Sequence, residues 1–139
     1  MELALVAHDS KKAALLEWAS RNRERLDGHT IFATATTGGL LETELGLTIS
    51  KTLSGPMGGD QQIGAKIAEG VIDAVIFFWD PMETQPHDTD VKALLRLAVA
   101  WDVPMACSES TAQMVIESSR LVDKDYAQTR PTHPRRRTA

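Results

Sequence analysis

Ala74, Val75, Ile76, Phe77, Phe78 and Trp79 form an unbroken apolar run, followed at once by Asp80 and Pro81. A strand with one wet face alternates apolar and polar residues. A strand covered on both faces is apolar at consecutive positions, and helices packed on either side of a parallel sheet produce that cover. Residues 3–7, 30–34 and 104–107 repeat the signal in shorter form, each flanked by polar or turn residues. Helix-like segments lie between these runs. Ala14, Leu15, Trp18 and Ala19 make one helical stripe, and Val91, Leu94, Leu95 and Ala98 make another. Ile63 and Ile67 mark a shorter helix after the loop at 54–59, with Gly70 placed to end it in a left-handed conformation. Ser110 with Gln113 is expected to cap a last helix. The expected class is α/β, with a mainly parallel sheet flanked by helices.

The 139 residues suffice for one core but not for separate cofactor and substrate domains. We expect one domain over 1–126 and a mobile basic tail over 127–139, where Pro131, Pro134 and the run Arg135, Arg136 and Arg137 interrupt any periodicity. Solvation is the simplest use of that tail; contact with an anionic ligand or a neighbouring subunit is the alternative. A net charge of -4, with Trp18, Trp79 and Trp101 away from basic runs, argues against nucleic-acid binding. Cys107, the single cysteine, offers no intrachain disulfide and no thiolate metal cage. With no basic, apolar leader and no apolar run near the roughly 20 residues of a membrane span, the expected location is the cytoplasm.

In an open α/β sheet, ligands collect beyond the carboxyl ends of the strands, so the segments after each run carry the chemistry. His8, Asp9, Ser10, Lys11 and Lys12 follow the first. Thr34, Ala35, Thr36, Thr37, Gly38 and Gly39 follow the second, and offer hydroxyls and glycine backbone at an expected helix start, where free N–H groups attract anions. Lys12 would add positive charge, although Lys11 and Lys12 also read as ordinary surface lysines. The third segment runs Ser54, Gly55, Pro56, Met57, Gly58, Gly59, Asp60, Gln61 and Gln62. Its glycines let backbone approach a ligand, yet it matches neither the Walker loop nor the GxGxxG fingerprint. Asp60 reads as a helix cap worth about 1 kcal/mol, or as a base whose carboxylate sits beside an anion loop. From this loop alone the cap is favoured.

The fourth segment crowds Asp80, Pro81, Pro86, His87, Asp88, Thr89 and Asp90 before a helix. Asp88 or Asp90 can cap that helix, and His87 can be a plain loop residue. A metal site from His8, Asp9, His87 and Asp90 is chemically admissible, since imidazole and carboxylate suit several divalent ions, but the spacing does not demand one.

Taken together, His8, Asp9 and Lys12, then Thr34, Thr36, Thr37 and Gly38, then LSGPMGGDQQ at 53–62 and PHDTDVKALLRLA at 86–98 resemble the methylglyoxal synthase family. The resemblance covers about residues 3 to 112. It implies a single Rossmann-like domain, a homohexamer, and conversion of dihydroxyacetone phosphate to methylglyoxal and inorganic phosphate with no metal and no cofactor. By the same resemblance His8, Lys12, Thr34, Thr36, Thr37, Ser54 and Gly55 hold the substrate and its phosphate, Asp60 is the catalytic base, and His87, Asp9 and Asp90 complete the acid and base apparatus. Inorganic phosphate is then product and candidate regulator. Two positions depart from the pattern. Ala35 stands where glycine is common, a change expected to be tolerated. A C-terminal arginine linked to a phosphate site has no clear counterpart among Arg130, Arg135, Arg136 and Arg137.

Two other functions compete. A regulatory ligand sensor would need the anion loops without the set Asp9, Asp60, His87 and Asp90. A metal-dependent phosphohydrolase would release phosphate without methylglyoxal and would lose activity to a chelator.

Overall fold

A computed structural model of the chain describes residues 1–83, 88–123 and 125; for residues 88–90 it describes the helical backbone. His87 and the expected tail at 127–139 lie outside the described residues, as does the Asp90 side chain. Five strands form one sheet, β1 (Glu2–Ala7), β2 (Thr30–Ala33), β3 (Ile49–Lys51), β4 (Ala74–Phe78) and β5 (Met105–Ala106), in the order β3-β2-β1-β4-β5. Every pairing is parallel, with Leu3 opposite Ile31 on one side of β1 and opposite Ala74 on the other. The α/β expectation therefore holds. β3 was not among the expected strands; it is a three-residue edge strand in which Ile49 is buried and Ser50 and Lys51 are exposed. So short a half-buried strand has no periodicity to read.

The helices are α1 (Lys12–Arg21), α2 (Arg23–Asp27), α3 (Ala35–Leu45), α4 (Gly59–Ala68), α5 (Asp88–Ala100) and α6 (Glu109–Glu117). Alternation along β1 sorts them into two layers. Leu3 and Leu5 pack with Leu15, Trp18, Leu26, Leu41 and Ile116, from α1, α2, α3 and α6. Ala4 and Val6 pack with Ile63, Ile67, Val91 and Leu94, from α4 and α5. The fully buried Trp18 has its indole N–H satisfied by Gln113 Oε1 at 3.0 Å, as a buried polar group requires. In the second layer Gly64 lets α4 and α5 close together: a Cβ there would stand 2.9 Å from Leu97 Cδ1.

α3 begins at Ala35, inside the segment 34–39 where a helix start was expected, because Thr34 is already extended (φ -65°, ψ 156°) and its carbonyl accepts from Gly38 N at 2.7 Å. One helix end differs from expectation. α6 is capped by Ser108, whose hydroxyl accepts from Thr111 N; Ser110 lies inside the helix, and Gln113 is engaged with Trp18 and Asn22. Gly70, at φ 75°, takes the left-handed conformation expected of it beyond α4.

Candidate active site

Chain order reverses at β1. The chain leaves β1 for β2 on one side and reaches β4 on the other, and such a switch point opens a crevice beyond the carboxyl ends of the strands. A cavity of about 220 Å³ occupies it. Its walls include His8, Asp9, Lys12, Thr34, Thr36, Ser54, Gly55 and Asp60, closed by Val6 and Phe77 from the sheet and Val91 from α5. Eight of the residues selected from sequence thus come from three separated loops to one crevice. Thr37 does not line it. Thr37 is 2% exposed and its Oγ1 is buried without a hydrogen-bond partner, at the third residue of α3.

One wall is built by the β1 end and the turn before α1. Lys12 opens α1 and forms an ion pair with Asp9 across that turn, with Lys12 18% exposed against 86% for Asp9. The ammonium is thus sheltered beside the crevice while its partner faces solvent. His8 stands edge-on to Phe77, ring centroids 5.3 Å apart. Its Nδ1 accepts the backbone N–H of Asp80 at 3.1 Å. A backbone N–H can only donate, so in the neutral ring the proton sits on Nε2. Asp80 is itself anchored. Its carboxylate takes Met82 N at 2.9 Å and Ser10 Oγ at 2.8 Å. The Met82 N–H foremost, and then the Ser10 hydroxyl, hold the Asp80 carboxyl below the usual carboxylate range. Ser10 Oγ also lies 3.2 Å from Glu83 Oε2. The loop after β1 and the loop after β4 are therefore tied together.

A second wall is the start of α3. Ala35, Thr36 and Thr37 are its first three residues, and Thr34 precedes them. Their N–H groups fall in the first turn, where an α-helix has no internal partners for them, and the helix dipole adds positive potential there. Ala35 is exposed, and its φ is not positive; among the described residues Asp102 is the non-glycine with positive φ. A glycine has no conformational advantage at 35, which accounts for the alanine.

The third wall is the arm from Leu53 to Asp60. Ser54 O accepts from Met57 N at 3.0 Å and Gly59 N at 2.8 Å, and Gly58, at φ 106°, turns the chain into α4. Glycine is required at 59 for space: a Cβ there would stand 1.9 Å from Leu53 O. Gly55 faces the Asp60 carboxylate so closely that an added Cβ would lie 3.2 Å from Oδ2. Asp60 is the second residue of α4, inside its first turn, and the N-cap position is held by Gly58. The cap reading favoured from the loop alone gives way to a carboxylate that lines the cavity.

Sequence reasoning left three contributors without a role. Gln62, inside the quoted stretch, turns its Oε1 back to accept Leu53 N–H at 2.8 Å. Ser10 and Asp80 were quoted only as polar loop residues. Their partners lie 9 to 72 positions away in sequence, and no local pattern marks them. Cys107 is half-buried, and burial pushes its thiol up, which disfavours the reactive thiolate. Among the described residues, no group of three or more His, Cys, Asp or Glu side chains is arranged to hold a metal ion.

Comparison with known proteins bears on the family and the fold. The family model described as MGS-like domain matches residues 14–107. A methylglyoxal synthase of Pseudoalteromonas atlantica is 54% identical over 129 residues, spanning 93% of this chain and 96% of that protein. The chain belongs to the methylglyoxal synthase family. A methylglyoxal synthase of Leptospira interrogans is 57% identical over 119 residues, spanning 86% of this chain and 80% of that protein. The crystal structure of methylglyoxal synthase from Elizabethkingia anophelis NUHP1 superposes with a TM-score of 0.81 at 52% identity, covering 85% of this chain and 78% of that one. In this family member no helix among the described residues is long and apolar enough to cross a membrane.

Proposed function

We propose that the chain converts dihydroxyacetone phosphate to methylglyoxal and inorganic phosphate, with Asp60 as the base. One observation carries the assignment of roles: the Asp60 carboxylate shares a single crevice with the start of α3, the Ser54 and Gly55 arm and Lys12, so a base and an anion cradle address one small molecule. The phosphate lies against the N–H groups at the start of α3, with Thr34, Thr36, Ser54, Gly55 and Lys12 around it.

Asp60 takes a proton from the hydroxymethyl carbon next to the carbonyl, and the C–H electron pair becomes the enediolate. Hydrogen-bond donors aimed at the developing oxyanion lower the barrier; losing one costs about a hundredfold in rate or more. His87 is assigned that donor role from the family pattern. His8, with its ring proton on Nε2, is held at the same crevice as part of the substrate cradle. The bond from carbon to phosphate oxygen then breaks with its electron pair leaving on phosphate, and the enol so formed rearranges to methylglyoxal. Asp9 holds Lys12 in place, and Asp90 completes the proton-handling set. No metal or redox cofactor enters these steps.

We assign a homohexamer in the cytoplasm, with inorganic phosphate competing for the anion cradle as product and regulator. A sizing measurement that returns a monomer at working concentration removes the hexamer. The direct test incubates chelator-treated protein with dihydroxyacetone phosphate and quantifies methylglyoxal and phosphate, with Asp60→Asn alongside. Equal amounts of both products, lost in Asp60→Asn, are expected. Phosphate alone would indicate a phosphohydrolase, and neither product a ligand sensor. Normal turnover in Asp60→Asn would strip Asp60 of the base role.

A further inference from the structure

We propose that Gln62 is a positioning residue that governs how the enediolate partitions between phosphate loss and reprotonation, by fixing the arm of Ser54 and Gly55 against the Asp60 carboxylate. The proposal rests on the roles given above to Asp60 and to that arm.

The arm is tied at both ends. It leaves β3 with Thr52 N donating to Ala33 O at 2.9 Å, and it joins α4 through Gly59 N to Ser54 O at 2.8 Å and Gly58 N to Gly55 O at 3.0 Å. Between these ties the Leu53 N–H points to Gln62 Oε1 at 2.8 Å. Gln62 stands two residues beyond Asp60 on the same helix. Its amide oxygen therefore adds a side-chain tie, beside these backbone ones, between the arm and the helix that carries the base. That tie matters because Gly55 and Asp60 are nearly in contact, with room for no more than 3.2 Å between an added Cβ and Oδ2. The Gln62 side chain is exposed and contributes nothing to the core.

Once formed, the enediolate has two exits. The bond from carbon to phosphate oxygen breaks when it stands out of the enediolate plane, in line with the π electrons, and the electron pair departs with phosphate. Otherwise the Asp60 carboxyl, having exchanged its proton with solvent, returns a solvent proton or deuteron to the carbon and dihydroxyacetone phosphate is re-formed. The protein selects between them by the torsion at which it holds the phosphate, and a slackened arm widens that torsion. The ratio of the two exits belongs to the intermediate itself. It does not depend on how much of the protein is folded or on how fast the first proton is removed.

The experiment runs the full chain with dihydroxyacetone phosphate in deuterium oxide and measures deuterium in the recovered substrate per methylglyoxal formed. In Gln62→Leu the N–H of Leu53 loses its acceptor, and the ratio should rise roughly three- to tenfold, the equivalent of one exposed hydrogen bond. Gln62→Glu keeps an acceptor oxygen on the same stem and should stay within about twofold of the parent. An unchanged ratio in Gln62→Leu, or an equal rise in both variants, overturns the proposal. Asp60→Asn separates the two layers of inference: exchange and turnover persisting there would sink the site assignment itself. Their loss there, with an unchanged ratio in Gln62→Leu, would sink the Gln62 role alone.

Discussion

Gly59→Ala adds a single methyl group at the start of α4, yet it strikes the backbone of the arm. The new Cβ would stand 1.9 Å from Leu53 O, 2.8 Å from Leu53 C and 2.9 Å from Ser54 O. These are main-chain atoms, so no rotamer change relieves the overlap. Restoring ordinary contact moves the arm off the helix by at least about 1 Å, given that carbon atoms pack at roughly 3.5–4.0 Å. That displacement breaks Gly59 N to Ser54 O and Leu53 N to Gln62 Oε1, each 2.8 Å in the parent. Two hydrogen bonds at about 1 kcal/mol each and overpacking strain of about 1–3 kcal/mol give a loss of about 3–5 kcal/mol. For a domain of this size the shift in Tm is about 10 to 17 °C. Gly39→Ala is the internal control. It lies within α3 with nothing within 4 Å of an added Cβ, and exchanging glycine for alanine in a helix should stabilise by up to about 1 kcal/mol. Thermal melts at one fixed protein concentration, so that assembly contributes equally, should place the two variants on opposite sides of the parent. A Gly59→Ala midpoint within about 2 °C of the parent would show that the arm yields easily, and would undo the argument that it is rigidly docked on α4.

Gln113→Leu should cost about 2–4 kcal/mol in urea unfolding, because it removes the partner of the buried Trp18 N–H at 3.0 Å and both amide contacts to Asn22, at 2.9 and 3.0 Å; a loss under about 1 kcal/mol would mean water replaces the amide. Glu2→Gln should stabilise the protein increasingly as pH rises above 4.5. Burial, and next the hydrogen bond to Asp73, raise the Glu2 carboxyl above its usual 4.5. The folded state therefore keeps a proton that the unfolded chain has released. The stability contributed by Glu2 is complete below 4.5 and is lost as pH climbs through the raised value. Melts from pH 4 to pH 8 read this directly, and a constant gap between parent and Glu2→Gln would refute it.

The run at 74–78 announced a strand with two covered faces, and β4 is buried at every position. Its consecutive apolar residues are a local consequence of a non-local arrangement, which is why the class was legible. β3 was not legible, since its pairing with β2 along Ile31, Phe32 and Ala33 comes from the neighbour more than from its own three residues. The start of α3 fell within the segment 34–39 where it was expected, and the extended Thr34 fixes it by closing the first helical bond to Gly38. Ser108 caps α6 because its backbone is extended (φ -138°, ψ 162°) and its hydroxyl accepts from Thr111 N, whereas Ser110 already lies inside the helix.

For the site, the residue types and their order in the chain were enough to nominate an anion cradle, with Asp60 as a base only the less favoured reading beside a helix cap, because chemistry depends on side-chain identity and such groups occur in polar segments after strands. The family pattern added the assignment of roles. The tertiary structure alone decided which segments face one another. It turned Asp60 from cap to cavity wall, left Thr37 buried behind the crevice, and joined His8 to Asp80 and Leu53 to Gln62. Local sequence fixes periodicity and chemical capacity, but the convergence of three loops follows from the strand order β3-β2-β1-β4-β5. That order is settled by how both faces of the sheet are covered together, a condition satisfied by the whole chain and written in no single stretch of it.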